Sequence, residues 1–265
     1  MGSEPIRVLI SGFPGKMATA VSSLAYNQPD MLLLPDALTG PDTLQSGERS
    51  QGFGSFCLFG PERHQGILEH NRRQYDAMVV VDFTQSESVL RNGALYVATG
   101  CDFVMGTTGG DRGALLKLVQ GSRICAVVDV NMAAPIVVLR AMLEHAAAAF
   151  PGALSGLELG IVESHQKTKK DVSGTAIAFQ GIFEALGAKM ASPISSIRER
   201  EEAHGHHRFT LTAGSGFKME FVTQVEGRQI YALGTLAAIR FLRKRVEAGE
   251  RGQVFTMVDV LKGGA

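Results

Sequence analysis

The chain has 265 residues, 45% of them hydrophobic, with 26 Lys plus Arg balanced by 26 Asp plus Glu, which fits one large globular domain or two modest ones. Balanced charge excludes a global field that would draw the protein to nucleic acid or to an anionic membrane, and neither is expected as a partner. Cys57, Cys101 and Cys125 are widely spaced and free of any C-x-x-C pattern, which points to a reducing compartment, and no apolar run reaches transmembrane length.

Residues 6–10 read as a buried strand, which leaves no room for a leader peptide ahead of it, and Met1 to Ser3 read as an expression remnant. S-G-F-P-G-K-M follows, then an apolar-periodic helix over 17–26. Gly12 and Gly15 occupy the last two glycine positions of a dinucleotide fingerprint, one for close approach of a pyrophosphate and one for helix packing; Ile10 stands at the first. Lys16 begins the helix, within reach of a phosphate. The next strand, 31–38, ends in Thr39-Gly40-Pro41 without the acidic residue that usually grips the adenosine ribose, although Asp36 and Asp42 lie close by. Loss of that carboxylate removes repulsion against a 2′-phosphate, so NADPH is expected to serve at least as well as NADH.

Residues 78–81 form an apolar strand ending in Asp82-Phe83-Thr84, 103–105 another ending in G-T-T-G-G over 106–110, and 124–128 a third followed by Asn131-Met132. In a doubly wound sheet the carboxyl edge lines the ligand crevice, so these turns are expected to face one nicotinamide. G-T-T-G-G by itself is equally an ordinary tight turn.

Beyond a helix over 136–150 the pattern changes to longer strands. Leu157, Leu159 and Ile161 alternate with Glu158, Gly160 and Val162, which reads as a strand, while Ala176, Phe179, Phe183 and Leu186 keep helical spacing. The polar block between them, E-S-H-Q-K-T-K-K-D-V-S-G-T, is read as a loop. Ser173 can cap the helix, and the N–H groups of Gly174, Thr175 and Ala176 favour an anion in front of it. With His165 and Lys169 beside that helix end, a dianionic small molecule is the expected guest, whereas Lys167 and Lys170 read as solvated surface. Phe209 and Leu211, a Gly214-Ser215-Gly216 turn, and Phe217, Met219, Phe221, Thr223 and Val225 form a hairpin. One of its faces packs on the helix after Ser173; the other carries Lys218, Glu220, Val222 and Gln224 to solvent or a subunit contact. His204, His206 and His207 read as a polar strand entry, since no thiolate or suitably spaced carboxylate completes a metal set, and no metal is expected. Residues 231–245 form a helix whose basic end, Arg240 to Arg245, suits the helix dipole at the surface. The apolar tail 254–261 returns to dock.

The expected architecture is α/β: an N-terminal Rossmann-like doubly wound parallel sheet over 1–131, rejoined by 240–265, and a C-terminal α+β domain with an open mixed sheet over 132–239 for substrate and oligomerisation. Across nearly the whole chain S-G-F-P-G-K-M, V-V-V-D-F-T, F-V-M-G-T-T-G-G-D-R, E-S-H-Q-x-x-K-x-D-x-S-G-T-A and G-R-Q-I-Y-A-L-G-T resemble dihydrodipicolinate reductase, and E-S-H-Q is similar to its plant-type branch. The resemblance implies reduction of 4-hydroxy-tetrahydrodipicolinate by NADPH, with NADH possible, in the diaminopimelate route to lysine. It also implies the chloroplast stroma, or the cytoplasm for a member outside the plant branch, while the open sheet with its exposed edge leads to the expectation of a homo-oligomer, dimer or tetramer. It places Gly12, Gly15, Lys16 and Met17 in the cofactor loop, Phe83 and Thr84 near ribose and nicotinamide, Gly106, Thr107 and Thr108 at the carboxamide, and Asn131 and Met132 at the cofactor edge. His165 becomes the acid, Lys169 the residue that binds or protonates substrate, and Gln166, Ser173, Gly174 and Thr175 the substrate grip. Domain closure would align donor and acceptor.

The chain departs from the family pattern at Gln166, which replaces a second histidine, at Gln85, and in the run Val130 to Pro135. A competing reading, a non-catalytic reductase-like assembly or regulatory factor, draws on that altered run. Another amino-acid dehydrogenase with the same first domain is the third reading.

Overall fold

The computed structural model describes residues 4–41, 48–51 and 53–263; Asp42 and the segment Met1 to Ser3 lie outside them. The chain forms two compact units, one of Met1–Met132 with Tyr231–Ala265 and one of Ala133–Ile230.

In the first unit, β1 (Ile6–Ser11), α1 (Lys16–Tyr26), β2 (Met31–Leu38), β3 (Glu48–Gln51), β4 (Gly54–Phe59), α2 (His64–Gln74), β5 (Met78–Asp82), α3 (Val89–Thr99), β6 (Asp102–Met105), α4 (Arg112–Gln120) and β7 (Ala126–Val128) follow in order. The second unit contributes α5 (Ala134–Ala149), β8 (Glu158–His165), α6 (Gly174–Ala185), β9 (Lys189–Met190), β10 (Ser195–Ile197), β11 (His204–Ala213) and β12 (Phe217–Glu226). Helix α7 (Gln229–Glu247), β13 (Val254–Phe255) and α8 (Met257–Gly263) complete the chain.

The first sheet runs β13-β7-β6-β5-β1-β2-β4-β3, parallel except for the antiparallel edge strand β3. β5, MVVVD, is buried at every position, as expected of a central parallel strand covered on both faces. Leu9, Val80, Phe103 and Tyr96 of this layer are buried in one core. The strand order reverses beside β1, so the carboxyl ends of β1, β2 and β5 border the crevice where such sheets bind ligands.

Helix α7 belongs to this unit nearly whole. It buries Ala232, Leu236, Ile239 and Leu242, and a Cβ on Gly234 would lie 1.7 Å from the Met132 carbonyl oxygen. The second crossing therefore falls at 230/231 and not at 239/240, because one uninterrupted helix cannot give its first half to a different core. Arg240, expected as plain surface charge, instead makes a two-pronged ion pair with Asp30 at 2.7 and 2.8 Å and a bond to Gln28 at 2.7 Å. That pairing holds the Asp30 carboxyl below its usual range. The tail does dock, through β13 beside β7 and the Met257 N–H on Asp129 Oδ2 at 2.9 Å.

The second sheet runs β10-β8-β11-β12, with β9 also along β8, and mixes parallel and antiparallel pairs. The expected hairpin is β11–β12, with Phe209 opposite Phe221. Phe179 stacks on Phe209 at 4.7 Å, and Phe183 meets Phe221 at 5.5 Å, so α6 covers this face. Lys218, Glu220, Val222 and Gln224 are exposed on the other.

Candidate active site

Two constellations emerge, one in each unit. In the first, a groove of about 490 Å³ is lined by Gly12, Gly15, Thr39, Phe83, Thr84 and Arg91, among others. Gly12 adopts φ +98°, and a Cβ there would lie 2.1 Å from the Phe83 carbonyl oxygen; a Cβ on Gly15 would lie 2.6 Å from the Gly12 oxygen. Only glycine suits this turn. Helix α1 begins directly after it with neither a side-chain cap nor an acid in its first turn, leaving its positive end to a phosphate. The donor set and the glycine turn thus fit a dinucleotide. Lys16 is exposed and Met17 half-buried, and neither lines the groove.

Gly106, Thr107 and Thr108 follow β6 at the same sheet edge without lining the groove. The Phe83 ring lies where a Gly106 Cβ would project. Thr107 turns inward: its hydroxyl donates to Asp82 Oδ1 at 2.7 Å and accepts the Thr84 N–H at 2.8 Å. Asp82 is fully buried and also accepts from the Thr84 hydroxyl at 2.7 Å, Asn92 at 2.9 Å and the Tyr96 hydroxyl at 2.6 Å. One carboxylate thereby fixes both turns. Asn131 and Met132 are buried after β7, with the Asn131 N–H on Asp129 Oδ1 at 3.2 Å. Asp36 bonds Asn71 of α2 at 2.7 Å and does not line the groove, so it does not serve as the missing ribose acid.

The second constellation surrounds His165 and Lys169. Glu163 to His165 end strand β8 and are not loop, because the inward alternation of Leu159 and Ile161 continues through Glu163. Glu163 is fully buried. The Arg198 guanidinium grips it in a fork, at 2.9 and 2.6 Å; the Ser196 hydroxyl donates at 2.7 Å and the Ser173 N–H at 3.4 Å. Burial alone would raise the Glu163 carboxyl, but the bonds from Arg198, Ser196 and His165 outweigh it and hold it at about 2. The carboxylate can only accept, so the 2.6 Å contact with His165 fixes the proton on Nδ1 and leaves Nε2 as the exchanging atom. Burial lowers the His165 pKa, with Glu163 working against the shift.

Lys169 is half-buried in the following turn, and burial, then Arg198, lower its pKa. No carboxylate pairs with its ammonium among the described residues. Arg198 also donates to the Lys169 and Asp171 carbonyls, each at 3.0 Å, stapling the loop to the buried carboxylate. Lys167 pairs with Glu201 at the surface and Lys170 is exposed. Ser173 does sit at the N-cap of α6, yet its hydroxyl makes no cap bond. It meets His207 Nε2 at 2.8 Å instead. His207 is buried, its ring 5.2 Å from that of His165, and burial, then the His165 charge, push it down to about 3. Gln166 and Gly174 are half-buried and Thr175 buried at the same helix entrance. No group of His, Cys, Asp and Glu suited to a metal occurs among the described residues.

Arg198, Ser196 and His207 were not expected from the sequence. The parity of β11 carries a signal for His207, which shares the inward face of Phe209 and Leu211; Arg198 carries none.

Residues 6–132 match the family model of the dihydrodipicolinate reductase N-terminus, and 135–261 that of its C-terminus. The chain belongs to the dihydrodipicolinate reductase family. As such it is an NAD(P)H-dependent oxidoreductase. It is 36% identical to a probable 4-hydroxy-tetrahydrodipicolinate reductase 2, chloroplastic, of Oryza sativa, over 97% of this chain and 83% of that protein. Identity to the Arabidopsis thaliana chloroplastic reductase 2 is 34%, over 98% and 78%. A dipicolinate-bound dihydrodipicolinate reductase from Paenisporosarcina sp. TG-14 shares the fold, with TM-score 0.63 at 21% identity over 95% of this chain and 97% of that one. Among the described residues no helix is long and apolar enough to cross a membrane.

Proposed function

We propose that the chain reduces 4-hydroxy-tetrahydrodipicolinate to tetrahydrodipicolinate, with Lys169 and the entrance of α6 as the dicarboxylate seat and His165 as the proton donor. The observation that carries this reading is Lys169: half-buried, its ammonium without an ion-pair partner among the described residues, and its main-chain carbonyl held by the arginine that holds the buried Glu163. A desolvated cation with no counter-ion of its own favours an anionic ligand.

When bound in the groove, a reduced nicotinamide would supply the hydride to C4 of the substrate ring, once the 4-hydroxyl has left as water with a hydrogen of the adjacent ring carbon and opened a double bond there. The chain supplies the rest. Lys169 and the α6 N–H groups neutralise the carboxylates, with Gln166, Ser173, Gly174 and Thr175 around them. His165 delivers a proton from Nε2 to the adjacent ring carbon while Glu163 holds Nδ1–H. A bound dianion raises the His165 pKa toward neutrality by charge proximity, which loads the acid when substrate is present.

NADPH is the preferred cofactor in this reading, with NADH possible, because β2 ends without a ribose-gripping acid. The open face of the second sheet exposes Val162 and Val222, which supports a homo-oligomer, dimer or tetramer. The chloroplast stroma is the proposed compartment, from the chloroplastic relatives. A coupled assay with freshly generated substrate and NADPH tests the reading by loss of nicotinamide absorbance. Turnover should fall severely in Lys169→Ala; unchanged kcat removes Lys169 from the chemistry, and a wild-type chain that binds NADPH without turnover favours the non-catalytic alternative.

A further inference from the structure

Resting on the reading that the first-unit groove holds the dinucleotide, the question is which residue meets a phosphate on the adenosine ribose. That ribose lies beyond the carboxyl end of β2 in folds of this type. Here residues 39–47 read T-G-P-D-T-L-Q-S-G, without a lysine, arginine or histidine. Any cation must come from elsewhere. Lys16 does not line the groove, and among the described residues Arg91 and His64 are the basic side chains that do.

His64 is committed already. Its Nε2 lies 3.1 Å from the Thr39 carbonyl and 3.0 Å from the Phe59 carbonyl. Both are acceptors, so Nε2 carries the proton and the neutral ring has only Nδ1 left, as an acceptor. Burial lowers its pKa, against the two carbonyl bonds, and so favours the neutral ring. His64 therefore ties the ends of β2 and β4 together and positions Thr39 without supplying charge. Thr39 is 3% exposed, lines the groove, and has a buried hydroxyl with no hydrogen-bond partner among the described residues. Arg91, by contrast, is exposed on the first turn of α3. Its Nη2 donates to the Ser88 hydroxyl at 3.1 Å, and Nη1 and Nε make no bond among the described residues. Glu87 also lines the groove but makes no ion pair with Arg91 there.

We infer that Arg91 is the specificity-determining residue for a ribose 2′-phosphate, entering from α3 and not from the β2 loop, with the Thr39 hydroxyl as the neutral donor beside it. The planar guanidinium fork suits a phosphate, which it can meet with two parallel hydrogen bonds.

Calorimetric titration of the whole chain with adenosine 2′,5′-bisphosphate and with AMP tests this without turnover. In wild type the bisphosphate should bind more tightly. In Arg91→Gln the bisphosphate-to-AMP affinity ratio should fall about 10- to 100-fold, the range for loss of a charged hydrogen-bond partner, and Arg91→Lys should restore part of it. The ratio of KM for NADPH to KM for NADH should rise in parallel. A wild type that does not discriminate, or an Arg91→Gln chain that keeps the wild-type ratio, overturns the assignment; Arg91→Leu serves in place of a Gln variant that does not fold. Binding of neither nucleotide to wild type is a different failure, of the groove as a dinucleotide site.

Discussion

Replacing Glu163 by Gln isolates the buried carboxylate on which His165, Arg198 and the Ser173 N–H converge. A carboxyl held at about 2 instead of 4.5 corresponds to about 3 kcal/mol of preference for the charged form in the folded state. That agrees with the range of about 3–5 kcal/mol for removing one partner of a buried ion pair. Glutamine keeps the volume but presents an amide N–H₂ to surroundings that all donate: the Arg198 fork, Ser196, His165 Nδ1 and the Ser173 N–H. One donor must face another. The expected cost is about 3 kcal/mol, read by urea denaturation followed by circular dichroism, since the chain has no tryptophan. The sign in pH follows from the depressed carboxyl: in wild type this stability is fully present above about 4.5 and is lost as pH falls through about 2, and the variant should not show that loss. The same substitution removes the group that opposes the lowering of His165, so the His165 titration followed by NMR should move further down. A variant with wild-type stability and an unmoved His165 titration would refute the argument that this carboxylate organises the site.

Asp82→Asn should destabilise the first unit by about 2–4 kcal/mol, because hydroxyls and amides donate to both oxygens of a fully buried group; a melting temperature within experimental error of wild type contradicts this. Gly12→Ala should abolish NADPH fluorescence enhancement, since φ +98° and the Phe83 carbonyl at 2.1 Å leave no room for a methyl group. Lys169 has a lowered pKa, so it loses its charge at lower pH than an ordinary lysine. Affinity for pyridine-2,6-dicarboxylate should therefore decline early on the alkaline side in wild type and hold in Lys169→Arg; parallel profiles would count against Lys169 as the anion's partner.

The fold was legible where the pattern was strong and local. Apolar runs at β1, β5 and β6 can only be central parallel strands, and the glycine turn after β1 follows from a backbone position closed to any Cβ. What the pattern missed was polar or short. α2, HQGILEHNRRQ, buries His64, Leu68 and Asn71, so two of its three inward residues look like surface in a list of types. The boundary expected at 239/240 falls inside α7, and the charge of Arg240, which reads as surface, pairs with Asp30, 210 positions away in sequence.

The site shows the same division in sharper form. His165 and Lys169 lie within one short motif, where spacing and charge suffice to suggest an anion seat, and strand parity already puts Glu163 and His165 on the inward face of Leu159 and Ile161. Parity also puts His207 there, opposite Thr223. What it cannot supply is the partner for an inward carboxylate. Arg198 reaches Glu163 only because β10 pairs in parallel with the end of β8, setting Ser196 beside Glu163 and Ile197 beside Ser164. A parallel edge pairing across thirty residues is specified by tertiary packing and not by local period. A buried glutamate in an alternating strand is nonetheless a demand that the sequence does display: it requires a cation and several donors somewhere in the chain. The consequence for Ser173 follows from the same demand. Its N–H is drawn to Glu163 and its hydroxyl to neutral His207, so the residue that looks like a helix cap instead joins the buried network, and it makes no side-chain cap bond to α6.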